Sequence, residues 1–163
     1  MPRDWGYTVG GVALLKIYRM NDIDFTLPDL YKPGNLFNLD RWTVVEPWML
    51  DPESKIVFNP ILTNAESLIR LRFKKKPLYR IEHNESSVTE RVDFVLDEYY
   101  TVRLNQWSWF SPSKNNWNHE YSIEFHIGQY HERLNELVEC VSLIYIHLVQ
   151  NIYESVSLKK LTI

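Results

Sequence analysis

Arg91-Val-Asp-Phe-Val-Leu-Asp-Glu-Tyr-Tyr-Thr-Val-Arg-Leu-Asn-Gln-Trp-Ser-Trp-Phe110 decides the fold. In an extended chain Val92, Phe94 and Leu96 share one side, and so do Tyr100, Val102 and Leu104. If one strand ran through, Glu98 would join the apolar side, where an unpaired carboxylate is costly to bury. A turn or bulge at Asp97-Glu98 is the less costly solution, and it makes the stretch two strands. After a loop at 111–118, His119-Glu-Tyr-Ser-Ile-Glu-Phe-His-Ile127 reads as a third strand, with Tyr121, Ile123, Phe125 and Ile127 inward.

Outward from this centre the pattern weakens. Trp42 to Trp48 and Lys55 to Phe58 are short β-rich runs around Leu50-Asp-Pro-Glu-Ser54, and they read as a hairpin with Pro47 at an edge. In 63–76 two signals compete. Thr63-x-x-Glu66 is a capping-box pattern, while Ile69, Leu71 and Phe73 alternate with Arg70, Arg72 and Lys74 as in a strand. The alternation resumes at Tyr79 and Ile81 after Lys75-Lys-Pro77, so a hairpin is the expectation. Val12 to Tyr18 fits a strand or a short helix, and Asn21 to Asn38, with Pro28, Pro33 and Gly34, reads as a loop. Tyr130, Leu134, Leu137, Val141, Tyr145, Leu148 and Ile152 recur at three- and four-residue steps, which predicts one long helix over 129–156. The whole reads as a single α+β domain spanning 1–163, an antiparallel sheet of about five to seven strands packed against a long C-terminal helix.

The totals narrow the function. A chain of 163 residues that is 45% hydrophobic can bury one substantial core. A net charge of −3 argues against bulk nucleic-acid or anionic-membrane binding, which rest on a basic excess. The single cysteine, Cys140, allows no internal disulfide and suits a reducing, cytoplasmic home. The Met1-Pro-Arg-Asp-Trp-Gly start does not read as a signal peptide, and the apolar run Cys140 to Val149 is too short to span a bilayer. Six Trp, ten Tyr and seven Phe exceed what a core of this size needs, so some are expected at contact surfaces.

No phosphate-binding Gly loop, G-x-S-x-G elbow or H-E-x-x-H helix occurs, so no enzyme activity and no cofactor are expected, the alternative being a small enzyme whose site carries no recognisable motif. Glu124, His126 and His131, with His119 behind them, could hold a metal only if the chain after Gly128 folds back over that face. Surface histidines beside carboxylates are the plainer reading. Cys140 and His147 are seven apart on the expected helix, two turns from each other, and so form no nucleophile–base pair. Asp97 and Glu98 would serve as an acid–base pair only if Glu98 were buried.

Strand parity yields a sharper expectation. With Tyr100, Val102 and Leu104 inward, Tyr99, Thr101, Arg103, Asn105, Trp107 and Trp109 face away; with Tyr121, Ile123 and Phe125 inward, Glu120, Ser122, Glu124 and His126 face away. Hairpin pairing puts both sets on one surface, with Trp117 in the connecting loop and Asp97 and Glu98 in the preceding turn. Either this surface is open to a partner, or another layer such as residues 1–40 covers its indoles as a second core. Charge is also patterned. Residues 66–80 carry six basic side chains against one acidic, residues 82–99 six acidic against one basic, and residues 119–140 five acidic against one basic. Arg70, Arg72, Lys74 and Lys75 form a basic stripe that an RNA could use, although opposite charges pairing across a solvated sheet explain the same runs.

A compact, acidic, aromatic-rich chain without catalytic motifs resembles the small bacterial toxin-immunity proteins, such as those of contact-dependent inhibition systems. The resemblance implies a non-catalytic protein that binds a cognate toxin tightly and stoichiometrically. The partner would be a basic, nuclease-like domain, and the contacts would come from Trp107, Trp109, Trp117, Glu120, Glu124, His126, Arg103, Asp97 and Glu98.

Overall fold

The structure, a computed structural model, describes residues 7–9, 12–14, 26, 30–130 and 143–163. In chain order the elements are β1 (Tyr7–Val9), β2 (Val12–Leu14), β3 (Leu36–Leu39), β4 (Arg41–Val44), 3-10 turns at Pro47–Leu50 and Pro52–Ser54, α1 (Ala65–Arg70), β5 (Lys74–Lys75), β6 (Tyr79–Asn84), β7 (Ser87–Leu96), β8 (Tyr100–Ser111), β9 (Asn116–Ile127) and α2 (Ile146–Ser157). The architecture is α+β. One antiparallel sheet of five strands runs β5-β7-β8-β9 with β6 also on β7; the other described elements include the two-stranded sheets β1-β2 and β3-β4 and a C-terminal helix. Among the described residues no helix is long and apolar enough to cross a membrane. The chain parts into two compact units, Met1–Thr63 with Ile144–Ile163, and Asn64–Leu143.

In the second unit β7 and β8 meet at a tight turn, as the cost of burying Glu98 requires. Asp97 (φ 54°) and Glu98 (φ 53°) are both left-handed, and the Tyr99 N–H donates to the Leu96 carbonyl at 3.1 Å. Two left-handed central residues make a type I′ turn, whose twist suits a hairpin but whose preferred residues are Asn and Gly. Replacing Asp97 with Asn and Glu98 with Gly is therefore expected to raise stability by about 1 kcal/mol, read as a higher urea midpoint. The exposed Lys76–Glu98 ion pair (3.3 Å) lost in the exchange contributes less than that. A lowered midpoint would show that the ion pair outweighs the backbone strain.

Phe94, Val102 and Phe125 are fully buried on the expected apolar face, and Leu68, Leu71 and Phe73 are buried in the same unit. Toward the far end of the hairpin that face opens. Tyr121, expected inward, is 69% exposed, because alternation sets the face of a side chain and not what covers it.

Three expectations are corrected. Residues 65–70 form a helix, not a strand, and its cap sits one residue later than the Thr63-x-x-Glu66 pattern. Asn64 Oδ1 accepts from the Ser67 N–H, and Ser67 Oγ from the Asn64 N–H, both at 2.9 Å. Leu68 and Leu71, one helical turn apart, are inside while Ile69 points out, so the strand-like alternation was incidental. In the first unit β4 pairs with β3, Leu36 opposite Val44, rather than with Lys55 to Phe58. β3 thus begins inside the Asn21 to Asn38 stretch expected to be a loop. Pro47 and Pro52 open 3-10 turns and Lys55 is left-handed (φ 54°), which breaks the expected hairpin.

The C-terminal helix begins at Ile146, not 129. Tyr145 bridges to Leu62, the Thr63 N–H donates to Ile144 O at 2.9 Å, and the Ile146 N–H donates to Ile61 O at 2.9 Å, so the chain before the helix is extended. Residues 131–142 of the expected helix, with Cys140 and His131, lie outside the described residues. α2 buries Ile146 through Tyr153. Two of the polar residues buried there, Gln150 and Asn151, are hydrogen-bonded to other parts of the chain. Gln150 accepts from the Leu36 N–H (2.8 Å) and donates to Leu161 O (2.7 Å), and Asn151 accepts from the Asn35 amide (2.9 Å). Tyr31, Phe37, Val45, Met49 and Phe58 form the core of that unit.

Candidate recognition surface on the large sheet

The cross-strand register supports the parity argument residue by residue. On β8 and β9, Thr101 lies opposite His126, Arg103 opposite Glu124, Asn105 opposite Ser122, Trp107 opposite Glu120 and Trp109 opposite Asn118. On β7, Val95, Asp93, Arg91, Thr89 and Ser87 continue the same rows beside Thr101, Arg103, Asn105, Trp107 and Trp109. Directly opposed residues project from one face, so this face carries both indoles.

The face is closed at one end and open at the other. At the closed end Arg91, Asp93, Thr101, Arg103 and His126 are buried. Asp93 accepts two hydrogen bonds from Arg103, at 2.8 and 3.3 Å, and a third from the Tyr130 hydroxyl at 3.2 Å. Arg91 Nε lies 3.8 Å from the same carboxylate, with its guanidinium 4.7 Å from the Tyr79 ring centre. Glu124 is hydrogen-bonded to His126 at 2.9 Å. Burial works to raise the Glu124 pKa, but the His126 hydrogen bond and charge, an Asn105 hydrogen bond and the Arg103 charge together hold it below the ordinary carboxylate range. Arg103, Glu124 and His126 are thus engaged in bracing the sheet, and burial leaves Arg103 and His126 out of reach as surface contacts.

At the open end Trp107 is 44% exposed, and its Nε1–H donates to Ser87 Oγ at 2.9 Å. Its ring centre lies 4.6 Å from that of half-buried Trp109, the planes inclined by 32°. Glu120, directly across from Trp107, is exposed. Ser87, Thr89 and Asn118 surround the pair with short polar side chains. Ser87 was not among the sequence candidates; the need of an indole N–H for an acceptor was the signal that could have suggested one nearby.

Trp117 lies within β9 rather than in the loop. It opposes Phe110, their rings 5.8 Å apart and edge-on, and so belongs to the other face. Asp97 and Glu98 sit beyond the opposite end of β8, whose seven steps from Tyr100 to Trp107 span about 23 Å. They form no patch with the indoles. His119 also faces away from Glu124 and His126; its Nδ1 lies 2.8 Å from Ser108 Oγ and 3.2 Å from Gln106 Nε2. Among the described residues no group of three or more His, Cys, Asp or Glu side chains is arranged to hold a metal ion. The basic run is dispersed: Arg70 ends α1, Arg72 is left-handed after it, Lys74 and Lys75 alternate on β5, Lys76 pairs with Glu98, and Arg80 pairs with Glu82 and Glu90.

The chain matches no protein-family model, and no curated protein or solved structure matches it.

Proposed function

We propose that this chain is a non-catalytic binding protein that grips a basic protein partner with the Trp107–Trp109 end of its large sheet. One observation carries the reading: an exposed indole on an open sheet face, directly opposite an exposed carboxylate, Trp107 against Glu120. A rigid indole already held by Ser87 and Trp109 buries a large apolar area on binding with little loss of side-chain freedom. Glu120 attracts a positively charged partner and speeds the encounter. In its narrower form the reading is a cytoplasmic immunity protein that neutralises a cognate toxin by stoichiometric cover. A nuclease domain is basic because it holds phosphates, so a carboxylate beside an apolar anchor complements it.

The test uses Trp107→Ala and Glu120→Lys. Wild-type and doubly substituted protein are immobilised and exposed in parallel to an extract of the host cell. A basic protein captured only by the wild type is then purified and titrated against each single variant. Trp107→Ala is expected to weaken binding by about 2 kcal/mol, roughly 30-fold. Glu120→Lys is expected to slow association by about tenfold at low salt, with the difference shrinking as salt rises. A partner bound equally by wild type and both variants would reject this surface, and an acidic partner would reject the electrostatic half of the reading.

A further inference from the structure

We infer that the outer edge of β9 joins two copies of this chain, antiparallel, into one continuous sheet. β9 lies at the end of the strand order, with β8 on its inner side. Its pairing with β8 runs without a bulge from Tyr100 opposite Ile127 to Ser111 opposite Asn116. Among the described residues the outer edge is met once, where the Leu143 N–H donates to the Ile123 carbonyl at 3.0 Å. Because backbone groups alternate sides along a strand, an outward Ile123 carbonyl makes the N–H and C=O of Tyr121, His119 and Trp117 outward as well. The Phe110 N–H donates inward to Ser86 O (2.8 Å), which gives its cross-strand partner Trp117 the same outward phase.

The strand itself lacks three of the usual edge protections. Natural edge strands carry lysine, proline or a bulge to prevent pairing, and Asn116–Ile127 has none of the three. Residues 116, 117 and 119–121 are all exposed.

A second copy fits because the edge complements itself in one register. Outward residues must pair with outward residues. With His119 opposite His119 of the partner subunit, Trp117 meets Tyr121 of the partner subunit twice, an aromatic cross-strand pair on each side of the axis. On the indole face Glu120 then meets Asn118 of the partner subunit. One step further along, Glu120 would oppose Glu120 of the partner subunit, and like charges directly opposed are unfavourable. That step also sets Trp117 of the partner subunit against Ile123, whose carbonyl already takes Leu143. A step the other way carries Tyr121 past the strand to Asn115, which is left-handed (φ 49°). An edge of this length buries a small interface, so the dimer is of modest affinity. It sets the two Trp107–Trp109 pairs side by side on one face, with their β8 strands about 14 Å apart.

Sedimentation velocity of the full chain over about 1–300 μM tests this, since a small interface populates its dimer in that range. The expected result is a reversible monomer–dimer equilibrium. Tyr121→Pro removes an N–H to which no hydrogen bond is made among the described residues and should weaken the dimer at least about tenfold. Tyr121→Lys should act in the same direction, and it decides the matter if circular dichroism shows the proline variant misfolded. Asn118→Lys should tighten the dimer by about three- to tenfold, because each new lysine faces Glu120 of the partner subunit. A monomer across the whole range, a dimer indifferent to Tyr121→Lys, or a dimer weakened by Asn118→Lys would each overturn the inference.

Discussion

Replacing Asp93 with alanine is expected to destabilise the Asn64–Leu143 unit by about 3–5 kcal/mol, the usual cost of removing one member of a buried ion pair. Asp93 is 3% exposed, and its carboxylate faces two buried guanidinium groups. Arg103 binds it through Nε and Nη2, Arg91 stands 3.8 Å away, and the Tyr130 hydroxyl takes a third position. Alanine removes the acceptor and leaves both arginines with their desolvation cost. Asp93→Asn keeps the shape and one acceptor, and is expected to lose about half as much. The informative variant is the pair Asp93→Ala with Arg103→Met. Exchanging a whole buried pair for apolar side chains is often close to neutral, so the double variant should recover most of the loss. Urea unfolding followed by tryptophan fluorescence reads all three. A loss under about 1 kcal/mol for Asp93→Ala would mean that water reaches this end of the face when the carboxylate is gone.

What the chain discloses in one dimension stops where coverage begins. The period-two pattern of Val92 to Leu104 and Tyr121 to Ile127 located three long strands, and the position of Glu98 required the turn. From those two facts the shared face of Trp107, Trp109 and Glu120 followed, and the register agrees. The same pattern could not reveal that Arg103 and His126 on that face are buried while Tyr121 on the other is bare, because cover comes from elsewhere in the chain. Short elements failed for another reason. A six-residue helix shows less than two turns of periodicity, so Leu68 and Leu71 could not outvote the alternation of Ile69, Leu71 and Phe73. Tyr145, Leu148 and Ile152 keep helical spacing although Tyr145 is the extended residue before α2, since apolar residues three or four apart also suit a strand running into a helix. Trp117 was placed in a loop because Ser111 to Asn118 is rich in turn-forming residues, yet the strand resumes at Asn116. Its face moved with that boundary.

The other unit should respond to acid through His147. Its imidazole is fully buried at the start of α2, stacked 4.1 Å from the Tyr31 ring, with the Tyr145 ring 6.0 Å away. Burial pushes the Tyr31 hydroxyl pKa upward, with the nearby Tyr145 adding to it, and pushes His147 down to about 4 from an ordinary 6.5. The folded state therefore refuses a proton that the unfolded chain accepts. Above pH 6.5 neither state is protonated and the stability is complete. As pH falls from 6.5 toward about 4, only the unfolded chain gains the proton, and stability falls by up to about 1.4 kcal/mol per unit. The total loss is about 3 kcal/mol, and below pH 4 both states carry the proton and this contribution changes no further. Glu124 acts in a different window. Its lowered pKa stabilises the fold above the ordinary carboxylate value of 4.5 and loses that effect only at lower pH. His147→Phe keeps a flat ring in the stack and removes the titration. Amide exchange across Ile146–Ser157 should show protection falling between pH 6.5 and 4 in the wild type, after correction for the intrinsic pH dependence of exchange, and little fall in the variant. Equal slopes in the two proteins would mean that the pocket admits a charged imidazole, and that the ring stack tolerates a cation as readily as a neutral ring.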